Sequence, residues 1–277
     1  MKIARLFPTR TAMSPTDPDA YFGDPDMFTP RYDEVHVSVV FGWDKRKAFQ
    51  MARAWRGYGK VRFGGPAFGD QGREFVPGRY VAPGVIFTSR GCPKRCGPCF
   101  VARREGGLRE IPVSAGHIVQ DNNFLACSRA HRERVYAMLR TQHGIEFRGG
   151  IDASLMTPQI AHEFASLRVK RIFLACDSPG GIGPLSWALY LLGVVGFTRN
   201  KIYCYVIVGK DMAEEEARLR RIYQMGAIPF AQLLQPYETT RIEYSKEWRD
   251  FQRRWSRPAI IRSMMDKKWK TKILKTR

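Results

Sequence analysis

The chain has 277 residues, 44% of them hydrophobic and 12% aromatic, enough apolar mass to bury a sizeable core. Its 46 Lys and Arg against 26 Asp and Glu give a formal charge of +20, which calls for an anionic partner or a structural reason. No run of about 18 uncharged apolar residues occurs, so no membrane span is expected. The opening residues Met1-Lys2-Ile3-Ala4-Arg5-Leu6-Phe7-Pro8 lack the apolar stretch and small-residue cleavage site of a secretory signal. A cytoplasmic protein is therefore expected, a compartment in which disulfides among its six cysteines would be rare.

Residues 1–80 are read as a small α/β region. The Pro- and Asp-rich stretch 15–30 reads as irregular loop, 34–41 as a strand, 45–55 as a helix, and 60–63 as a strand ending in Gly64-Gly65-Pro66. From Gly84 onward, hydrophobic runs of strand length alternate with segments of helical period, the signature of repeated βα units and a parallel sheet. Six strands are predicted, at 84–88, 117–120, 145–151, 171–176, 202–208 and 228–234. Helices are predicted at 128–141, at 157–167 behind the start signal Thr157-Pro158, and at 211–224. The last has Glu214, Glu215 and Glu216 in its first turn and Arg218, Arg220 and Arg221 later, which suits the helix dipole at both ends.

Three cysteines fall within eight residues after the first of these strands, as Cys92-Pro93-Lys94-Arg95-Cys96-Gly97-Pro98-Cys99. A four-iron cluster normally takes four thiolates, so this Cys-x3-Cys-x2-Cys loop would leave one iron open to a ligand that reacts. A structural zinc site wants a fourth donor close by, and the nearest candidate, His117, lies far downstream. Spacing favours iron-sulfur over zinc, and both over a chance grouping of thiols. Cys127, Cys176 and Cys204 read as buried thiols.

Ligands of parallel α/β folds bind beyond the carboxyl ends of the strands. After the later predicted strands stand Asp121-Asn122-Asn123, Asp152 with Ser154, Asp177-Ser178, Gly209-Lys210-Asp211, and Gln235 with Tyr237. Each polar residue taken alone serves equally as a helix N-cap. Residues 241–277 form a basic extension with thirteen Lys and Arg against four Asp and Glu. The spacing of Trp248, Phe251 and Trp255 fits one helical face packed on a core. For Lys267-Lys268-Trp269-Lys270-Thr271-Lys272, a solvated helix and a nucleic-acid contact both remain open.

The strand Gly84-Val85-Ile86-Phe87-Thr88, running through Ser89-Arg90-Gly91 into the cysteine loop, resembles the radical S-adenosylmethionine superfamily. The resemblance implies a partial (β/α)6 TIM-like barrel over 81–240, with 1–80 as a small α/β cap and 241–277 as a helical extension. It implies a [4Fe-4S] cluster on Cys92, Cys96 and Cys99, whose fourth iron is chelated by the methionine part of S-adenosylmethionine, and an external flavodoxin- or ferredoxin-type reductant. Reductive cleavage of the cofactor would then give a 5'-deoxyadenosyl radical. The position before the last cysteine, commonly aromatic in the family, is Pro98, with Phe100 just after, which bears on packing around adenine. Asp121-Asn122-Asn123-Phe124 resembles a family segment that meets the methionine amino group, which implies that role for Asp121 and Asn122. Asp152 resembles a third-strand polar position near the cofactor, Asp177 stands where related enzymes often have Glu, and Gly209 resembles a fifth-strand position where backbone approaches adenine.

The N-terminal region resembles a reduced flavodoxin-like cobalamin-binding region, but it is short and lacks an Asp-x-His-x-x-Gly segment, so no cobalamin is expected. Charge makes RNA or another polyanion the leading substrate class. Methylthiolation is disfavoured, because neither the RNA-binding appendage of the methylthiotransferases nor a second cysteine cluster is recognised. The alternative is a nucleic-acid-binding protein with a structural metal knuckle; a knuckle needs no strand-helix repeats behind it.

Overall fold

The computed structural model describes residues 1–70, 75–97, 99–236 and 240–274. The chain divides into two units, Met1–Gly116 with Gln235–Arg241, and His117–Leu234 with Ile242–Arg277. The division expected near residue 80 falls inside the first unit.

In the first unit, β1 (Ile3–Leu6), β2 (Ala20–Tyr21), β3 (Glu34–Ser38) and β4 (Lys60–Gly64) form a parallel sheet in the order β2-β1-β3-β4. The helix α1 (Lys45–Ala54) connects β3 to β4. Ala48, Met51, Ala52 and the following Trp55 recur at helical spacing and are buried, so one face of α1 closes on Leu6, Val35 and Val37 of the sheet. The buried Trp55 indole donates from Nε1 to the Gly23 carbonyl at 3.1 Å, which removes the cost of an unpaired donor. Tyr21 meets the same ring edge-on at a centroid distance of 4.5 Å. The unit is completed by β5 (Val85–Ile86), β6 (Ser89–Arg90), α2 (Val101–Glu105) and β7 (Arg109–Glu110), with β6 and β7 antiparallel.

In the second unit, strands and helices alternate: β8 (Ile118–Val119), α3 (Arg129–Arg140), β9 (Ile145–Ile151), α4 (Pro158–Ser166), β10 (Val169–Ala175), α5 (Ile182–Val194), β11 (Ile202–Val208), α6 (Met212–Gln224) and β12 (Ile228–Leu233). The five strands lie parallel and side by side in chain order. Their near-continuous apolar runs, such as Ile202-Tyr203-Cys204-Tyr205-Val206-Ile207-Val208, are what a parallel sheet covered on both faces requires. The first residues of the predicted helices act as caps: Ser128 accepts from His131 N at 3.2 Å, Thr157 from Ile160 N at 3.3 Å, and Asp211 from Glu214 N at 2.9 Å. Phe124, Tyr136, Phe147 and Phe164 form a buried aromatic cluster with centroids 4.9 to 6.1 Å apart.

Two helices follow, α7 (Lys246–Trp255) and α8 (Pro258–Leu274). Phe251 and Trp255 are buried and Gln252 Nε2 donates to the Ala231 carbonyl at 3.3 Å, so α7 is part of the second unit's core, as its aromatic spacing predicts. The side chains of 267–274, and with them the Lys- and Trp-rich segment, lie outside the described residues. The parallel α/β character read from the sequence for the region after Gly84 is the architecture of the second unit, and the α/β region read at 1–80 is a parallel sheet with one crossover helix. Among the described residues no helix is long and apolar enough to cross a membrane.

Candidate functional site

The backbone that enters the cysteine loop is buried although its side chains are polar: Thr88 and Ser89 are fully covered and Arg90 is 9% exposed. Its carbonyls and amides are satisfied locally. Ile111 N donates to Thr88 O at 2.9 Å, and Cys92 N donates to Gly106 O at 3.3 Å. Between them Gly91 sits at φ +78°, and a Cβ there would overlap the Gly107 carbonyl, so the turn into the loop requires glycine twice over. The far side is set by Cys99 N donating to Cys96 O at 3.1 Å, and by α2, which starts directly after Phe100. Arg104 lies over the Phe100 ring at 5.0 Å, which gives that aromatic a cation-π partner. Pro98 lies outside the described residues.

Glu105, absent from the sequence reading, ties the two sides together. It is fully buried at the end of α2, accepts from Gly91 N at 3.3 Å, and pairs with Arg90 at 3.0 Å and with Arg104. Its own carbonyl accepts from Arg109 Nη1 at 2.6 Å. In the run Arg103-Arg104-Glu105 nothing marks that carboxylate as the inward one, so sequence alone had no signal for it.

Cys96 and Cys99 are exposed and Cys92 is half-buried. No three His, Cys, Asp or Glu side chains among the described residues are gathered as a metal-holding group, and that includes these three. Thiols have no mutual attraction without a cation between them, and metal binding is coupled to thiol deprotonation and to closure of the loop that carries them. The donor chemistry still fits an iron-sulfur cluster: three thiols in eight residues, accessible to an incoming metal, on a loop whose entry is fixed by Gly91 and Glu105. Cys176 and Cys204 are poor donors. Burial pushes the Cys176 thiol up to about 11 and raises the Cys204 thiol well above its ordinary value, so both stay protonated.

In the second unit the predicted strand-end residues separate into distinct environments. Asp121 and Asn123 are buried, Asn122 is half-buried, and Asn123 Nδ2 donates to Asp152 Oδ2 at 3.3 Å, which joins the ends of β8 and β9. Asp152 Oδ1 accepts from the Ser154 backbone at 3.1 Å and from its hydroxyl at 2.8 Å, so this carboxylate caps a turn as well. Asp177 accepts from Ile207 N at 2.8 Å. Desolvation raises its carboxyl above the ordinary value, opposed by that hydrogen bond and by the charge of Arg218. Tyr237 lies outside the described residues.

Gly209 occupies φ +129°, and the position of its missing Cβ is filled by the Tyr244 ring, whose Cε1 would lie 2.9 Å away. The Tyr244 hydroxyl donates to Leu234 O at 2.8 Å, and burial together with the nearby Glu215 raises its pKa. Glu215, 5% exposed, accepts from Gly209 N at 2.9 Å and from Lys210 N at 3.2 Å. Sequence reasoning placed Glu215 among dipole-facing surface glutamates and did not single out Tyr244. Gly209→Ala is expected to destabilise by about 1–3 kcal/mol, from a strained backbone and a displaced Tyr244. Urea denaturation of the two proteins checks this; equal midpoints would mean that Tyr244 packs loosely.

No protein-family model matches the chain, and a search of curated proteins returns no significant match.

Proposed function

We propose that this protein is a radical S-adenosylmethionine enzyme. The observation that supports the reading above all others is the Cys-x3-Cys-x2-Cys loop, which follows a buried strand run directly and is braced at its entry by Gly91 and Glu105. The five parallel strands of 118–233, with a helix between each pair, support the parallel α/β part of the partial (β/α)6 barrel that this reading calls for. In this reading Cys92, Cys96 and Cys99 hold a [4Fe-4S] cluster as thiolates. The cluster, when bound and reduced by one electron, supplies cleavage of S-adenosylmethionine to a 5'-deoxyadenosyl radical.

The chain's own residues bind and orient the cofactor. Asp121, Asn122 and Asp152 offer carboxylate and amide oxygens for its ammonium and hydroxyl groups, and Phe100 offers an aromatic face for adenine; Gly209, whose N–H is held by Glu215 and whose open side is covered by Tyr244, is a weaker candidate for backbone contact with adenine. The Asn123–Asp152 hydrogen bond holds one of these carboxylates in place. Asp177 has a backbone donor already and is the weakest of the candidates. The reductant is a cytoplasmic flavodoxin- or ferredoxin-type protein, and the charge of +20 favours RNA among possible substrates.

Anaerobic reconstitution with iron and sulfide, followed by dithionite and S-adenosylmethionine, is expected to yield 5'-deoxyadenosine, read by chromatography. Uptake of zinc with no cofactor cleavage would replace this reading with a structural metal knuckle.

A further inference from the structure

We propose that the groove between α1 and the edge strand β4 binds a single-stranded polynucleotide. The groove has a volume of about 540 Å³, in the range of ligand clefts, and lies wholly within the first unit. Its cationic side is a stripe along the outer face of α1, where Arg46, Gln50 and Arg53 recur at helical spacing opposite the face that Ala48, Met51 and Ala52 bury, continued by Arg56 in the turn just past the helix. All three arginines are exposed, and no carboxylate of a described residue pairs with them. Its aromatic side is Phe49, 51% exposed, and Phe63, 38% exposed, with ring centroids 4.9 Å apart. Phe68 backs both rings, at 5.9 and 5.2 Å.

Guanidinium groups hold phosphates and aromatic faces stack on bases, and the two together along a groove are how sequence-tolerant single-strand binding works. A duplex presents no free base face to Phe49 or Phe63, which selects a single strand. An acidic peptide would satisfy the arginines and leave both rings in water. The assignment stands whether or not the cysteine loop carries a cluster.

The probe is a fluorescein-labelled oligouridylate, titrated into the full-length protein by fluorescence anisotropy over a range of salt. Phe49→Ala leaves charge untouched and is expected to weaken binding about five- to 150-fold, the loss of one stacked base. The double variant Arg53→Gln with Arg56→Gln is expected to lower the slope of log K against log salt by about 1.4, two phosphate contacts on a single strand. Phe49 and Arg53 are exposed positions of α1 and Arg56 is exposed in the turn that follows it, and circular dichroism serves to show that each variant is folded. Unchanged affinity in the Phe49 variant, loss of affinity only on substitution of Arg249 and Arg253 in α7, or equal competition by polyglutamate would each overturn the proposal.

Discussion

Replacement of any one of Cys92, Cys96 or Cys99 by alanine is expected to strip the protein of bound iron and reduce 5'-deoxyadenosine formation to background. Three thiolates are the whole protein contribution to the proposed cluster, so none is redundant. Outer partners that merely orient a metal ligand cost about 10–100-fold in affinity when removed, and a lost ligand costs at least that. The contrast is with Cys176→Ala and Cys204→Ala. Those thiols are buried and held protonated by desolvation, so their loss is expected to cost about 1 kcal/mol of packing and leave iron content as in the wild type. Iron per chain, visible absorption and deoxyadenosine yield, measured on all five variants after identical reconstitution, check the pattern. Iron retained by the three loop variants would mean that the cluster, if any, lies elsewhere.

That Cys127, Cys176 and Cys204 are buried thiols was legible in the sequence, because they stand singly, apart from the three clustered ones. Much of the second unit was legible as well. The strands predicted at 145–151 and 202–208, followed by Asp152 and Gly209, became β9 and β11 with the same bounds. Asp211 reads as a cap from its place before a helical period, and it caps α6. What escaped was whatever depends on tertiary position. The strand β1 has four residues, one of them Arg5, and shows no period; it is a strand because Ala4 and Leu6 are fully buried and Arg5 reaches the Arg79 carbonyl at 2.7 Å. Glu214, Glu215 and Glu216 look alike in sequence, and only the fold turns the middle one toward Gly209 and Lys210. Phe49 and Phe63 are 14 positions apart, and only the packing of α1 beside β4 brings their rings together.

Glu105 is the residue of this hidden kind with the largest expected effect. Its carboxylate has no access to solvent, and the side chains of Arg90 and Arg104 beside it are only 10% and 14% exposed. A buried ion pair contributes little net stability when whole, because desolvation offsets the attraction, but removal of one partner leaves a charge that neither water nor protein satisfies. Glu105→Gln takes the carboxylate charge away from both guanidinium groups and weakens the acceptor for Gly91 N. A loss of about 3–5 kcal/mol is expected, a large share of the roughly 5–15 kcal/mol that holds a domain together. The ion pair predicts its own rescue. Arg104→Met added to Glu105→Gln removes one of the two cations that lose the Glu105 charge, so the double variant should be more stable than the sum of the single effects by about 0.5–3 kcal/mol. Urea denaturation of the four proteins gives this coupling directly. Because Glu105 also braces the backbone at Gly91, the single variant should lose bound iron even at temperatures where it remains folded, whereas an additive cycle with full iron content would reduce Glu105 to a space-filling role.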